Sequence, residues 1–178
     1  FGEIRNQLSA RNMNFLDQDD HPFLKHAAPA LVFVEQGQGP YANTRAALAH
    51  FDLEKVRGKK VLLKPNAGRC AAPGEGITTD PGVVAAAIDA FQEAGAVVAV
   101  GESPITGVKA FEALEETGIA AVARERGCAL LDLDARPPVV RAIPGAQALD
   151  AIKICADVLE HDVVVSLPVM KMHMHTGV

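Results

Sequence analysis

Short apolar runs separated by polar loops recur along the chain and predict strands that alternate with helices. The runs are continuous rather than alternating in polarity, which is typical of strands buried on both faces of a parallel sheet. The stretch Ala151–Cys155 fits either a strand or the start of a helix. The predicted strands are Ala30–Val34, Lys59–Leu63, Val97–Val100, Ala129–Leu133, Val139–Ile143 and Val163–Leu167.

The best-defined helix follows Asp80-Pro81. Asp is a favoured N-cap because its side chain accepts an unpaired amide hydrogen, and Pro suits the first helical position because it has no amide hydrogen. Gly95 then ends the helix. Its apolar face is formed by Val83, Val84, Ala87, Ile88 and Phe91, and the other predicted helices are Arg45–Phe51, Val108–Leu114 and Ile119–Arg126.

Strands that alternate with helices predict an α/β fold with a mostly parallel sheet, flanking helices and βαβ units. Aromatic residues make up only 4% of the chain, which agrees with helices packed on parallel strands. Residues 1–27 are polar and aperiodic, and we predict that they form an N-terminal arm before an α/β domain at residues 28–178. The chain starts without a Met and stops directly after a polar motif, so it is expected to be a processed or partly observed product.

Composition excludes several classes of protein. A net charge of -5 without a cluster of basic residues argues against nucleic acid as a partner. No apolar run is long enough to span a bilayer. The three cysteines, Cys70, Cys128 and Cys155, form no CxxC motif, so the chain encodes neither a disulfide framework nor a complete zinc or iron-sulfur site, and a cytoplasmic location is expected. Motifs for dinucleotides, P-loop nucleotides and serine hydrolases are absent from the sequence.

Polar residues follow three of the predicted strands at their carboxyl ends. Ligands of open parallel sheets bind at this edge, so the residues are expected to share one cleft. Alone, each has a simpler interpretation as a turn residue, a solvated lysine or a structural ion pair. The residues are Lys64 and Asn66, then Glu102 and Ser103, and finally Lys171, His173 and His175.

Two kinds of chemistry are compatible with this cleft. Lys64, Lys171 and His173 are the candidate catalytic residues, because paired cations bind an anion or activate an amine and a histidine moves a proton. The candidate cofactor-binding residues are Asn66, Thr78, Thr79, Glu102 and Ser103, of which the two threonines precede a helix N-terminus that suits anions.

A metal site is the second possibility. His173 and His175 would face the same side of an extended segment and could share a metal ion, with a third ligand from Glu102, an Asp, Cys70 or a residue beyond Val178. The alternative is a solvated or substrate-binding histidine pair. Cys70 is also a candidate reactive thiol, in a loop rich in Gly and Pro.

Four motifs resemble, in order and spacing, the family of unknown function numbered 362. They are Lys64-Pro65-Asn66, Thr78-Thr79-Asp80-Pro81, Gly101-Glu102-Ser103-Pro104, and Asp162–Pro168 followed by Lys171-x-His173-x-x-Thr176-Gly177-Val178. The resemblance covers about residues 29–178. His175 departs from it, because the family usually has an apolar residue there.

The resemblance implies a soluble α/β protein, in a family of which many members carry an iron-sulfur module outside this region and some are exported by a twin-arginine signal. It therefore adds periplasmic location as an alternative. The fold is distantly similar to the nickel-pincer lactate racemases, which would place Lys171 and His173 at a cofactor.

Two functional hypotheses follow. The first is a redox-linked or metal-dependent enzyme, an oxidoreductase or isomerase, that acts on an anionic small molecule or cofactor; its cofactor would be a metal ion or an iron-sulfur cluster held outside this segment. The second is a non-catalytic subunit that binds an anion or docks beside an iron-sulfur protein. A homo-oligomer is compatible with either hypothesis.

Overall fold

The structure is a computed structural model that describes residues 32–172. Its main feature is a four-stranded parallel sheet in the order β3-β2-β1-β6. The strands are β1 (Lys60–Pro65), β2 (Val97–Glu102), β3 (Ala129–Asp132) and β6 (Val163–Leu167), and β4 (Val139–Ala142) pairs antiparallel with β5 (Ala151–Ile154) in a separate ribbon. The helices are α1 (Pro40–Leu48), α2 (Pro81–Glu93), α3 (Ala110–Glu116), α4 (Ile119–Glu125) and α5 (Ala156–Leu159), with a 3-10 turn at Leu53–Val56.

The predicted α/β fold is therefore confirmed. Helix α2 forms where the local signals placed it: the Asp80 side chain accepts a hydrogen bond from the Gly82 amide at 2.7 Å, and Pro81 is the first helical residue. At the other end Gly95 has a φ of 85°, and the amide of Ala96 donates to the Phe91 carbonyl. This backbone pattern closes a helix only when the residue after the C-cap tolerates a positive φ, as Gly does.

The two faces of the sheet are covered by different helices. The larger core packs α2 and α4 on one face, where Val61, Leu63 and Val100 are fully buried. A smaller core packs α5 and the loop after β3 on the other face, around Leu62, Ala99 and Leu133. Alternate residues of one strand thus enter opposite cores, as the pleat requires.

Strand order shows where the chain changes direction. From β1 the chain proceeds to β2 and β3 on one side, with α2, α3 and α4 between them. It then returns, and α5 on the opposite face precedes β6, which pairs with β1 on the other side. The boundary between β1 and β6 is therefore the topological switch point of the sheet, and open α/β sheets bind ligands in the crevice outside the carboxyl ends at such a point.

Several predicted element bounds need correction. Val32–Val34, the described part of the predicted first strand, is not a strand; Val32 and Val34 are more than 80% exposed and have no neighbouring strand. The following helix starts at Pro40 rather than Arg45, because Pro fits its first turn. The ambiguous Ala151–Cys155 segment forms strand β5 and then, with Cys155 as N-cap, opens α5.

Burial of the last strand also differs from expectation. Val163–Leu167 is a parallel strand as predicted, but it was expected to be buried on both faces. In the described part of the chain it forms an edge of the sheet, and Val164 and Ser166 are exposed. An apolar run therefore identified the strand but not its place in the sheet.

Candidate functional site

Lys64 and Glu102 form the centre of the candidate site. They stand at the carboxyl ends of the neighbouring strands β1 and β2, and the Lys64 ammonium lies 2.6 Å from Glu102 Oε1. Glu102 is only 2% exposed, whereas the Lys64 side chain is 40% exposed. The pair thus has a buried carboxylate and an ammonium group that solvent and ligands can reach.

Backbone amides hold the Glu102 carboxylate in place. Oε1 also accepts a hydrogen bond from the Ser103 amide, and Oε2 accepts one from the Ala67 amide, each at 2.8 Å. The carboxylate therefore has three donors, which meets the rule that buried charges are paired and hydrogen-bonded. The loop after β1 and the loop after β2 are joined through this one side chain.

Lys171 reaches the same edge from the segment after β6. Its ammonium donates to the Ile77 carbonyl at 2.6 Å and lies 3.5 Å from Asn66 Oδ1. Asn66 follows β1 two positions after Lys64, so the predicted meeting of the strand ends is observed for these residues. The lysine spans the switch point between β1 and β6.

The two threonines are placed differently from the lysines. The Thr79 hydroxyl accepts from the Asn66 amide at 2.8 Å and donates to the Leu167 carbonyl, so it is engaged in holding loops together. Thr78 is buried as well. The Asp80 side chain and carbonyl already take amides of the first turn of α2, so the expected free amides are occupied there.

Ser103 belongs to a neighbouring group of polar side chains. Its hydroxyl lies 2.8 Å from both carboxylate oxygens of Asp134, which follows β3. Partial burial raises the pKa of the Cys155 thiol; the Asp134 carboxylate adds to the rise, and Lys64 opposes it. A shallow cavity of about 340 Å³ adjoins this group beside Pro104 and Phe111, away from Lys64. The residues at the carboxyl edge, rather than the volume of this cavity, define the candidate site.

Sequence reasoning missed Ser166. In the sheet register it lies directly beside Lys64, and residues paired in this way project from the same face. Ser166 is exposed at the crevice, on the β6 side of Lys64. The available signal was its position as the only polar residue in the apolar run Val163–Leu167.

The metal-site residues His173 and His175 lie outside the described residues. Among residues 32–172 no group of three His, Cys, Asp or Glu side chains has a geometry that could hold a metal ion. Glu102, one of the suggested third ligands, is fully engaged with Lys64 and two amides. Cys70 is exposed, Cys128 is buried and Cys155 is half-buried, and all three are free thiols.

Comparison with known proteins supports the motif resemblance. A family model described as "Domain of unknown function (DUF362)" matches residues 61–178, which include β2 to β6 and all of β1 except Lys60. The chain belongs to the DUF362 family. Lys64, Glu102 and Lys171 all lie inside the matched range.

A curated relative extends this comparison. The thylakoid-associated protein sll1697 of Synechocystis sp. is 33% identical over 121 residues, which cover 65% of this chain and 35% of the relative. The matched region thus spans about a third of the relative's length. No solved structure matches the chain. Within residues 32–172, none of the helices has the length and apolar character needed to cross a membrane.

Proposed function

We propose that this DUF362 domain binds an anionic small molecule or cofactor at the carboxyl edge of its sheet, as the ligand-binding part of an enzyme. The observation that carries the proposal is that both lysines have their ammonium groups at the carboxyl edge of the sheet, Lys64 against Glu102 at the end of β2 and Lys171 against Asn66 and Ile77 in the loop after β1. Crevices at topological switch points are where open α/β sheets bind ligands. The two ammonium groups give the proposed binding site a preference for negatively charged ligands.

In this proposal Lys171 and Lys64 hold the anionic group, and His173, two residues after Lys171, moves a proton. The reaction that we propose is redox-linked or metal-dependent, as in an oxidoreductase or isomerase; it follows from the predicted likeness of the fold to nickel-pincer lactate racemases, which no matching solved structure supports. Fold similarity alone does not establish a reaction, so this part of the proposal depends on chemistry that His173 and His175 would supply.

Anion binding can be tested by nuclear magnetic resonance. The nitrogen-15-labelled protein is titrated with acetate at low ionic strength, and the amide signals of Asn66, Ala67 and Ser103 are followed. We expect saturable shifts at these residues that are lost in Lys171→Ala and kept in Lys153→Ala, a matched change at an exposed lysine of β5. Shifts scattered over the surface, or unchanged by Lys171→Ala, would refute the proposed site.

The metal question has its own experiment. Elemental mass spectrometry of the purified protein measures bound iron, nickel and zinc, and comparison with His173→Ala assigns any metal to the histidine segment. A near-stoichiometric metal that is lost in the variant would support metal-dependent chemistry. A metal content that the variant leaves unchanged would remove His173 from the proposed metal site.

A docking role is the second candidate function. The β4-β5 ribbon exposes Val140 on one face and Ile152 on the other, and the curated relative is named for its association with thylakoids. An isolated two-stranded ribbon is only marginally stable in water, so apolar side chains on it favour a partner, such as an iron-sulfur protein. Substituting both residues with Thr should weaken copurification of that partner and leave acetate binding unchanged.

A further inference from the structure

The two lysines of the site differ in what compensates their charge. Lys64 lies against the carboxylate of Glu102, at 2.6 Å. Lys171 contacts only neutral oxygens among the described residues, the Ile77 carbonyl at 2.6 Å and Asn66 Oδ1 at 3.5 Å. Within the described part of the chain the ammonium of Lys171 thus has no carboxylate partner, whereas Lys64 is part of an ion pair.

Glu102 cannot readily leave Lys64 when a ligand binds. Its Oε2 is held by the Ala67 amide, its Oε1 by the Ser103 amide, and the side chain is 2% exposed. A carboxylate with amide donors on both oxygens has a fixed orientation, and moving it would leave the buried amide of Ala67 and the partly buried amide of Ser103 without acceptors. Glu102 is thus a positioning residue that fixes the ammonium of Lys64 and keeps one negative charge in the site.

Among the described residues, the formal charges of Lys64, Glu102 and Lys171 sum to one positive unit. The carboxylate of Asp134, near Ser103 and Cys155, adds further negative potential on the β3 side. We infer that the site is built for a monoanion, such as a compound with one carboxylate or sulfonate group, rather than for a dianion such as sulfate or phosphate. The inference rests on the proposed function, because it specifies the ligand of that same site.

A pair of probes isolates charge from shape. Methanesulfonate and sulfate both have a tetrahedral sulfur with oxygen atoms around it, but the first carries one negative charge and the second two. Each is titrated into the labelled protein at low ionic strength, where surface charges are least screened. We expect methanesulfonate to shift the Asn66 and Ser103 amides at lower concentration than sulfate does.

Removing the charge of Glu102 should change this preference. In Glu102→Gln the site gains one positive unit, and we expect sulfate to gain about threefold or more in affinity relative to methanesulfonate, because a second negative charge is now compensated. The matched control is Glu112→Gln, which removes the carboxylate of the exposed pair with Lys109 and should leave the ratio unchanged. Should Glu102→Gln fail to fold, the order of affinities in the parent protein decides the inference.

The outcomes separate the inference from the proposed function. Tighter binding of sulfate by the parent protein, at the same amides, would overturn the monoanion inference and leave the anion site intact. If neither probe shifts these amides, or if Lys171→Ala leaves binding unchanged, the proposed site itself fails. Two results together would support the proposed site and the monoanion inference. The parent protein would bind methanesulfonate more tightly than sulfate, and Glu102→Gln would raise the affinity for sulfate relative to that for methanesulfonate.

Discussion

The hydroxyl of Thr79 donates a hydrogen bond to the carbonyl of Leu167, a residue 88 positions further along the chain. The same hydroxyl accepts from the Asn66 amide at 2.8 Å, and the Thr79 amide donates to the Asn66 carbonyl at 2.9 Å. One side chain thus joins the ends of β1 and β6 to the start of α2. These contacts fix the backbone at the carboxyl ends of β1, which carries Lys64, and of β6, which precedes Lys171.

Replacing Thr79 with Val should destabilise the protein by about 1–3 kcal/mol, because the Asn66 amide and the Leu167 carbonyl lose a partner at a site where Thr79 is buried. Urea denaturation measures the loss in free energy of unfolding. Thr79→Ser keeps the hydroxyl and serves as the control, with a smaller loss expected. A larger loss in Thr79→Ser than in Thr79→Val would mean that methyl packing, not the hydrogen bonds, matters at this position.

Gly101 marks a close approach between β2 and the smaller core. A Cβ atom there would lie 2.8 Å from Leu133 Cδ2 and 3.1 Å from Leu62 Cδ1, and both of these side chains are buried. Gly101→Ala should therefore lower the free energy of unfolding by about 1–3 kcal/mol, as overpacking does. Gly68→Ala is the control, since its Cβ would have no neighbour closer than 3.9 Å. A neutral Gly101→Ala in urea denaturation would show that Leu133 can move aside at no cost.

Cys128 should make stability depend on pH in the alkaline range. Burial raises the pKa of its thiol from the ordinary 9.0 to about 11. Between pH 9 and pH 11 the unfolded chain has released the Cys128 thiol proton while the folded protein still holds it. The contribution of this thiol to the free energy of unfolding is therefore complete below pH 9 and is lost as pH rises toward 11. The free energy of unfolding of the parent protein relative to Cys128→Ala should therefore fall across this interval.

The control for this experiment is Cys70→Ala, because Cys70 is exposed. Every other titratable group is common to the parent protein and the variants, so its titration cancels in each difference. A difference between the parent protein and Cys128→Ala that stays constant from pH 9 to pH 11, or that falls no more than the difference for Cys70→Ala, would contradict the raised pKa of the Cys128 thiol.

Local features of the sequence predicted α2 and the inner strands well. Asp80-Pro81 and Gly95 act through hydrogen bonds and backbone angles of adjacent residues, so their effect can be read without knowing the rest of the fold. The apolar run at Lys59–Leu63 likewise predicted β1 to within two residues at its carboxyl end. Lys64 was identified because it directly follows such a run, and Glu102 because it lies two residues after the run Val97–Val100.

The sequence could not determine which strands become neighbours. Val163–Leu167 and Val97–Val100 are both continuous apolar runs, yet β2 is central and β6 lies at an edge of the described sheet. Hydrophobic pattern reports local burial, whereas strand order depends on how the connecting helices pack on each face. The exposure of Val164 and Ser166 follows from that order.

The sequence by itself determined the α/β class, the family motifs and the set of polar residues at strand ends, because each of these depends on residues close together in the chain. Only the tertiary structure decided that Glu102 pairs with Lys64, that Lys171 reaches Ile77, and that the hydroxyl of Thr79 is used to hold loops. These contacts join residues that are 38, 94 and 88 positions apart in the chain, respectively. The free energy that brings them together comes from burying both faces of the sheet, which no local pattern specifies.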